Sequence, residues 1–131
     1  MVRQSRNGRK AEGYYAGPND NYLPRGELYT EFWEHKREYR IVVFKGAVVG
    51  RYYKKMGANR WMDLVVQPKK GFEDMDAAAL RAAQGLGIDY VGFDVLSRTK
   101  KDFRFLEANS APMLTAESET AIVEYYLNLE N

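Results

Sequence analysis

Gly87-Ile-Asp-Tyr-Val-Gly-Phe-Asp94-Val-Leu96, then a polar break, then Phe103-Arg-Phe-Leu-Glu107-Ala-Asn109-Ser-Ala-Pro112 is the stretch from which the rest of the chain is read. Two apolar runs of strand length, Asp89 to Leu96 and Phe103 to Asn109, flank the turn-forming segment Ser97 to Asp102, the pattern of an antiparallel hairpin. With the turn centred between residues 100 and 101, Asp94 falls opposite Glu107. Cross-strand Cβ atoms lie ~5 Å apart, and Asn109, two residues beyond Glu107, projects to the same face. Two carboxylates and an amide oxygen therefore converge. Unpaired carboxylates this close repel one another and resist desolvation, a cost that a bound cation removes. An all-oxygen set without His or Cys suits Mg2+ or Ca2+ and argues against zinc, and magnesium completes its octahedron with waters and substrate phosphates, which points to a nucleotide. The residues alone leave two other arrangements open. Either acid can pair with Lys100, Lys101 or Arg104, and Asn109-Ser110 can close the strand as an Asx turn; a slip of one residue would send Asp94 to the other face.

Outward from this hairpin, Val91, Gly92, Phe93 and Phe105, Leu106 are apolar at successive positions, which predicts a sheet covered on both sides. Asp74 to Leu86 is predicted as an alanine-rich helix with an Asp near its start and Gly87 as a left-handed C-cap. Upstream, Arg60 to Val66, Ala47 to Tyr53, Tyr39 to Phe44 and Leu28 to Trp33 have the texture of strands, with Lys45-Gly46 a tight hairpin turn. Residues 1–27, with Gly8, Gly13, Gly17, Pro18, Pro24 and Gly26, read as turns and loops around one short strand at Glu12 to Ala16. The chain closes on a helix, Glu117 to Leu129, with Ile122, Val123, Tyr126 and Leu127 on one stripe. Hairpins with two helices predict an α+β domain over residues 28–131, its helices covering one face of a mostly antiparallel sheet, behind a loop-rich segment 1–27.

Composition removes several classes of function. At 131 residues and 45% apolar the chain can bury a real core. Twenty Lys and Arg against 18 Asp and Glu give a formal charge of +2, so net charge gives no reason to expect nucleic acid or an anionic membrane as partner. There is no cysteine, which excludes disulfides and thiolate chemistry and fits a reducing, cytoplasmic setting. No apolar run approaches the ~20 residues of a membrane span. His35, the one histidine, cannot build a multi-histidine metal site and reads as an exposed bystander.

Together, the strand ending in Asp94 and the Glu107-Ala-Asn109-Ser-Ala-Pro112 motif that follows resemble the terminal motif of the ATP-grasp superfamily, which includes D-alanine:D-alanine ligases, ribosomal-protein glutamate ligases and phage-encoded ligase-like proteins. The resemblance implies ATP and Mg2+ as ligands, with Asp94, Glu107 and Asn109 holding the metal. Tyr29-Thr-Glu31-Phe-Trp-Glu34-His-Lys-Arg-Glu38 is similar to the family's strand-hinge-strand element. It implies that Glu31, Phe32, Trp33 and Glu34 form the adenine hinge and that Glu38 accepts the ribose hydroxyls. Val48-Val-Gly-Arg51-Tyr-Tyr-Lys54-Lys55 resembles the strand whose terminal cation reaches the transferring phosphate, which implies Lys54 in that role. At the amino end Arg3 stands at the family's Lys or Arg position, ahead of a loop more basic and poorer in Gly and Ser than the family's own. Asn59, Arg60 and Trp61 correspond only loosely to a family Arg-Asn or Asn-Gly-Trp element.

A complete ATP-grasp enzyme carries a substrate domain and further strands ahead of the part matched here. The resemblance thus implies an incomplete fold, with a partner chain or self-association through Tyr14, Tyr15 and Tyr22. Three functions follow: an ATP-dependent ligase of unidentified carboxylate and nucleophile acting through an acyl-phosphate; a remnant that binds nucleotide or protein without chemistry; or a nucleic-acid binder using Arg3, Arg6, Arg9 and Lys10.

Overall fold

The computed structural model describes residues 33–57 and 62–129, together with the backbone of three two-residue strands, β1 (Val2–Arg3), β2 (Tyr14–Tyr15) and β3 (Leu28–Tyr29). The chain forms two compact units, Met1–Glu34 and His35–Asn131. In the first, β1 pairs antiparallel with both β2 and β3. Of the segment Leu28 to Trp33, read from sequence as one strand, Leu28 and Tyr29 form β3, residues 30–32 lie outside the described residues, and Trp33 is buried outside any strand.

In the second unit, β4 (Arg37–Phe44), β5 (Ala47–Met56), β6 (Met62–Val66), β7 (Tyr90–Ser97) and β8 (Phe103–Asn109) form a five-stranded antiparallel sheet in the order β6-β5-β4-β7-β8. The β4–β5 turn is tight because Lys45 and Gly46 both adopt positive φ, 48° and 78°, whose twist matches the flanking strands. Helix α1 (Glu73–Leu86) links β6 to β7, and helix α2 (Ala116–Leu129) ends the described chain. Gly87 takes the left-handed C-cap as the sequence predicts, φ 67°, with its N–H returning to the Gln84 carbonyl. Phe72 rather than an Asp stands at the N-cap, and Glu73, Asp74 and Asp76 lie in the first turn, where carboxylates favour the positive end of the helix dipole.

Strand periodicity sorts the sheet into two faces. Tyr39, Ile41 and Val43 of β4 and Val91, Phe93 and Val95 of β7 point to α1 and pack with Phe72, Met75, Ala79 and Ala83 in one core. Arg51, opposite Ile41, turns to the same side, where its Nε donates to Asp76 Oδ1 and Oδ2 at 2.8 and 2.9 Å. The other face carries Glu38, Arg40, Val42 and Phe44 of β4, and α2 covers one end of it. There Phe44 meets Tyr125 edge-on at 5.4 Å between centroids, and Tyr52 and Tyr90 hydrogen-bond to the first turn of α2. The helices thus take opposite faces, not one face as the sequence predicts.

Two further expectations are corrected. Strand β8 is the edge strand of the sheet, half-buried only at Phe103 and Phe105, which pack against the α1-side core, and exposed elsewhere. The stripe Ile122, Val123, Tyr126 and Leu127 seats α2 only in part: Ile122 is half-buried and Tyr126 meets Phe44 at 6.4 Å between centroids, while Val123 and Leu127 are exposed and the one fully buried residue of the helix is Ser118. Polar capping and Tyr125 complete the attachment of α2 to the sheet.

Candidate functional site

The face opposite α1 is polar beyond the reach of α2. Arg40 of β4 pairs in register with Asp94 of β7, and Asp94 with Glu107 of β8, so the three lie in one row across the sheet. The Asp94–Glu107 pairing depends on a bulge. Next to the loop, Ser97, Leu96 and Val95 oppose Phe103, Arg104 and Phe105; a register shift then leaves Leu106 over and sets Asp94 against Glu107, Phe93 against Ala108 and Gly92 against Asn109. Without that extra residue Leu106 would stand opposite Asp94 and both polar members of the motif would turn to the core side.

Asp94 is only 8% exposed and is not an unpaired carboxylate. Arg40 Nε donates to its Oδ1 at 3.0 Å and Lys54 Nζ to its Oδ2 at 3.2 Å. Lys54 Nζ also lies 3.5 Å from Glu38 Oε2, whose other oxygen is 3.3 Å from His35 Nε2. The result is a chain of alternating charge, Glu38–Lys54–Asp94–Arg40, over three adjacent strands. Repulsion between Asp94 and Glu107, expected from sequence, is therefore relieved without a metal, and the cations responsible are Arg40 and Lys54 instead of Lys100, Lys101 or Arg104. His35 is half-buried against Glu38, not an exposed bystander.

Asn109 closes β8 as an Asx turn, its Oδ1 accepting from Ala111 N–H at 2.9 Å. Pro112 is buried against Gly92, where a Cβ would come within 2.9 Å of the proline ring, so the chain after the motif can fold back only over a glycine. Three residues on, Thr115 caps α2: its Oγ1 accepts from Ser118 N–H at 3.2 Å while Ser118 Oγ accepts from Thr115 N–H at 2.9 Å. Tyr52 OH contacts Thr115 Oγ1 and donates to Glu117 Oε2 at 2.8 Å. Burial, aided by the Glu117 acceptor, pushes the Tyr52 phenol up to about 12, and the same hydrogen bond draws the Glu117 carboxyl down.

Of the predicted site residues, Glu38, Lys54 and Asp94 are brought into direct contact, Glu107 is set opposite Asp94, and Asn109 lies two residues along the same face. Glu34 is exposed, Trp33 buried, and both fall in the first unit. Glu31, Phe32, Tyr22, residues 59–61 and the side chains of Arg3, Tyr14 and Tyr15 lie outside the described residues. The sequence reading passed over Arg40, although it lies two residues beyond Glu38 and so on the same face. It also passed over the Tyr52–Glu117 contact, which joins residues 65 apart and leaves no local signal.

Among the described residues no three His, Cys, Asp or Glu side chains gather to hold a metal by themselves. The oxygens of Asp94, Glu107 and Asn109, on an open sheet face without nitrogen or sulfur donors, fit a hard cation that takes its remaining ligands from substrate and water. A shallow hollow of about 580 Å³ lies elsewhere, between Lys45, Asp89, Tyr125 and the last turns of α1. None of the row's charged residues lines it, and chemistry outweighs volume in choosing the site.

Residues 26–129 match the family described as the RimK-like ATP-grasp domain. Comparison with curated protein sequences finds no match. Among solved structures, the ATP-grasp ligase PsnB complexed with minimal precursor, Mg and ADP is similar at 15% identity and a TM-score of 0.53, over 69% of this chain and 32% of that one. PsnB complexed with precursor peptide PsnA2 and AMPPNP matches at 16% and 0.50, over 69% and 32%. D-alanine–D-alanine ligase from Bacillus anthracis complexed with ATP matches at 16% and 0.53, over 74% and 39%. The chain thus spans about a third of the length of these structures, and the likeness is one of fold. The sequence led us to expect a partial ATP-grasp fold, α+β with a mostly antiparallel sheet and two helices, and that is the fold found, its sheet having five strands.

Proposed function

This chain belongs to the RimK-like ATP-grasp family, and from that membership we propose that it is the ATP- and Mg2+-binding domain of an ATP-dependent carboxylate–amine ligase. The observation that carries the proposal is the row of charge on the sheet face opposite α1, where Glu38, Lys54 and Asp94 touch and Glu107 lies opposite Asp94. The row lies on the other side of the sheet from the apolar core, which is complete without it, and Asp94 and Lys54 are held largely out of water there. Glu38 accepts the two ribose hydroxyls, which a carboxylate does through paired oxygens. Lys54 meets the transferring phosphate and offsets charge that builds on its oxygens. Asp94, Glu107 and Asn109 would hold the metal, which would supply positive charge against the phosphates. The family resemblance assigns adenine recognition to Glu31, Phe32, Trp33 and Glu34 and a phosphate contact to Arg3; of these side chains only Trp33 and Glu34 are among the described residues.

In the reaction, a substrate carboxylate oxygen bonds to the terminal phosphorus as its bond to ADP breaks. An amine then forms the amide and phosphate leaves. The solved neighbours support this reading, since they are ligases complexed with ATP, ADP or AMPPNP, and one PsnB complex holds a precursor peptide. Because the chain spans about a third of their length, substrate selection falls to a partner chain or a further segment.

Thermal shift and calorimetry test the binding half. Mg2+ and ATP together raise the melting temperature more than either alone, by the increment that mass action gives a ligand binding the folded state, about 2.7 kcal/mol at a hundredfold excess over Kd. No Mg-dependent ATP binding at millimolar concentration would refute it. A second reading, a nucleotide- or protein-binding module without turnover, is favoured by the neutralisation of Asp94 by two cations. ADP release with candidate carboxylates and amines separates the two.

A further inference from the structure

Lys54 holds two carboxylates at once, Asp94 Oδ2 at 3.2 Å and Glu38 Oε2 at 3.5 Å, and its side chain is only 13% exposed. Arg40 takes the opposite oxygen of Asp94 through Nε at 3.0 Å, with its Nη2 3.5 Å from Oδ2. The two cations differ in how they are held. Arg40 is in register with Asp94 on the neighbouring strand and makes a forked contact, whereas Lys54 reaches diagonally from the next strand but one with a single ammonium on a flexible stem.

We propose that Lys54 is a displaceable counter-ion which keeps divalent cations off Asp94 until a polyphosphate draws its ammonium away, so that metal and polyphosphate bind together and neither binds well alone. The proposal rests on the nucleotide-binding reading above and adds its order of events. A dication approaching Asp94 Oδ2 with Lys54 in place meets a like charge a few ångströms away in a partly desolvated setting, where such repulsion is large. Polyphosphate oxygens offer Lys54 more anionic charge than the two carboxylates it now shares with other partners. As Lys54 swings to them, Oδ2 of Asp94 is released for the metal and Glu38 for a hydroxyl donor, while Arg40 stays on Oδ1 and keeps the carboxylate in place. No covalent bond is made or broken in this step; the ion pairs of Lys54 with Asp94 and Glu38 give way to those of Lys54 with polyphosphate and Asp94 with the metal.

The device predicts a variant that binds metal better than the parent. Mn2+ alone, Mn2+ with inorganic tripolyphosphate and Mn2+ with ATP are titrated by calorimetry, with free Mn2+ followed by electron paramagnetic resonance, against the full chain and the variants Lys54→Met, Lys54→Arg and Lys55→Gln. In the parent, tripolyphosphate strengthens Mn2+ binding. In Lys54→Met, Mn2+ alone binds about tenfold more tightly than in the parent, as expected when one like charge is removed at intermediate dielectric. Tripolyphosphate then adds little. Lys54→Arg keeps the weak metal-only binding. Lys55→Gln removes the same formal charge from an exposed position opposite Asp63 and leaves all three titrations unchanged. Equal or weaker binding of Mn2+ alone by a folded Lys54→Met, with the parent still showing Mn-dependent ATP binding, overturns the counter-ion role and spares the nucleotide-binding reading. A parent that binds neither Mn2+–tripolyphosphate nor Mn2+–ATP overturns both.

Discussion

On the α1 face, Arg51 of β5 and Asp76 of α1 form an ion pair; on the other face, Glu38, Lys54, Asp94 and Arg40 form a connected row. Along β5, Arg51 and Lys54 turn to opposite faces by period-two alternation, and so fall into different sets. The difference lies in redundancy. Asp76 receives both its oxygens' hydrogen bonds from a single guanidinium, so neither partner can leave without stranding the other. Asp94 has two cations and Lys54 two carboxylates, so one member can move while every charge keeps a partner. A structural ion pair is closed upon itself, and an exchangeable one is shared.

That contrast is broken most severely at the closed pair. Asp76→Ala leaves the Arg51 guanidinium, 16% exposed, without its carboxylate beneath α1, and a stability loss of about 3–5 kcal/mol is expected by chemical denaturation. Mg-dependent nucleotide binding by the fraction still folded should be unchanged. Asp94→Asn should cost less, about 1–3 kcal/mol, because the amide oxygen still accepts a hydrogen bond and Lys54 retains Glu38. Repulsion between two unpaired acids, the arrangement that the sequence suggests, would instead leave the fold of this variant intact or slightly more stable; Arg40 and Lys54 already stand against Asp94, which favours a loss. A denaturation midpoint above the parent's for Asp94→Asn would restore the earlier view.

Much of this was legible from local pattern. The Lys45-Gly46 turn, the Gly87 cap and the two strands around Ser97 to Asp102 follow from short-range chemistry, and all form as read. The register that sets Asp94 against Glu107 was reached from a symmetric turn, yet it arises from a shorter-register hairpin corrected by the extra Leu106. A bulge carries little signal in apolar residues, since Leu106 looks like any strand leucine. Tertiary pairing was less legible. Neither the reach of Arg40 and Lys54 to Asp94 nor the opposite seating of the two helices has a periodic signature, and α2 misled because only part of its apolar stripe is held to the sheet.

Tyr52 tests a smaller effect at the seam between the covered and open parts of the second face. Tyr52→Phe removes its hydrogen bonds to Glu117 and Thr115 and should lower stability by about 1 kcal/mol. The pH dependence distinguishes this from loss of packing. The folded phenol, raised to about 12, lies above its unfolded value near 10, so its contribution is fully present below about pH 10 and is lost as pH rises through the folded value. The parent should therefore lose stability between about pH 10 and 12 more steeply than Tyr52→Phe does. Parallel curves over that range would show that the hydroxyl is not buried as a donor.

The smallest effect on stability, and the sharpest form of the comparison, is expected at Glu107. It stands opposite Asp94 on the edge strand, exposed. Glu107→Gln keeps the volume and the hydrogen-bonding capacity of the side chain and removes one charge, so the stability change should stay within about 0.5 kcal/mol. Under the proposed function the same substitution removes a metal ligand, and Mg-dependent ATP binding should fall about tenfold or more while any metal-independent binding persists. Asp76→Ala and Glu107→Gln then form a crossed pair: one lowers stability and spares binding, the other spares stability and lowers binding. Equal loss of both properties in Glu107→Gln would mean that the open face supports the fold as the closed pair does. Loss of neither would remove Glu107 from the metal set and leave Asp94 and Asn109 as the oxygen donors to be tested next.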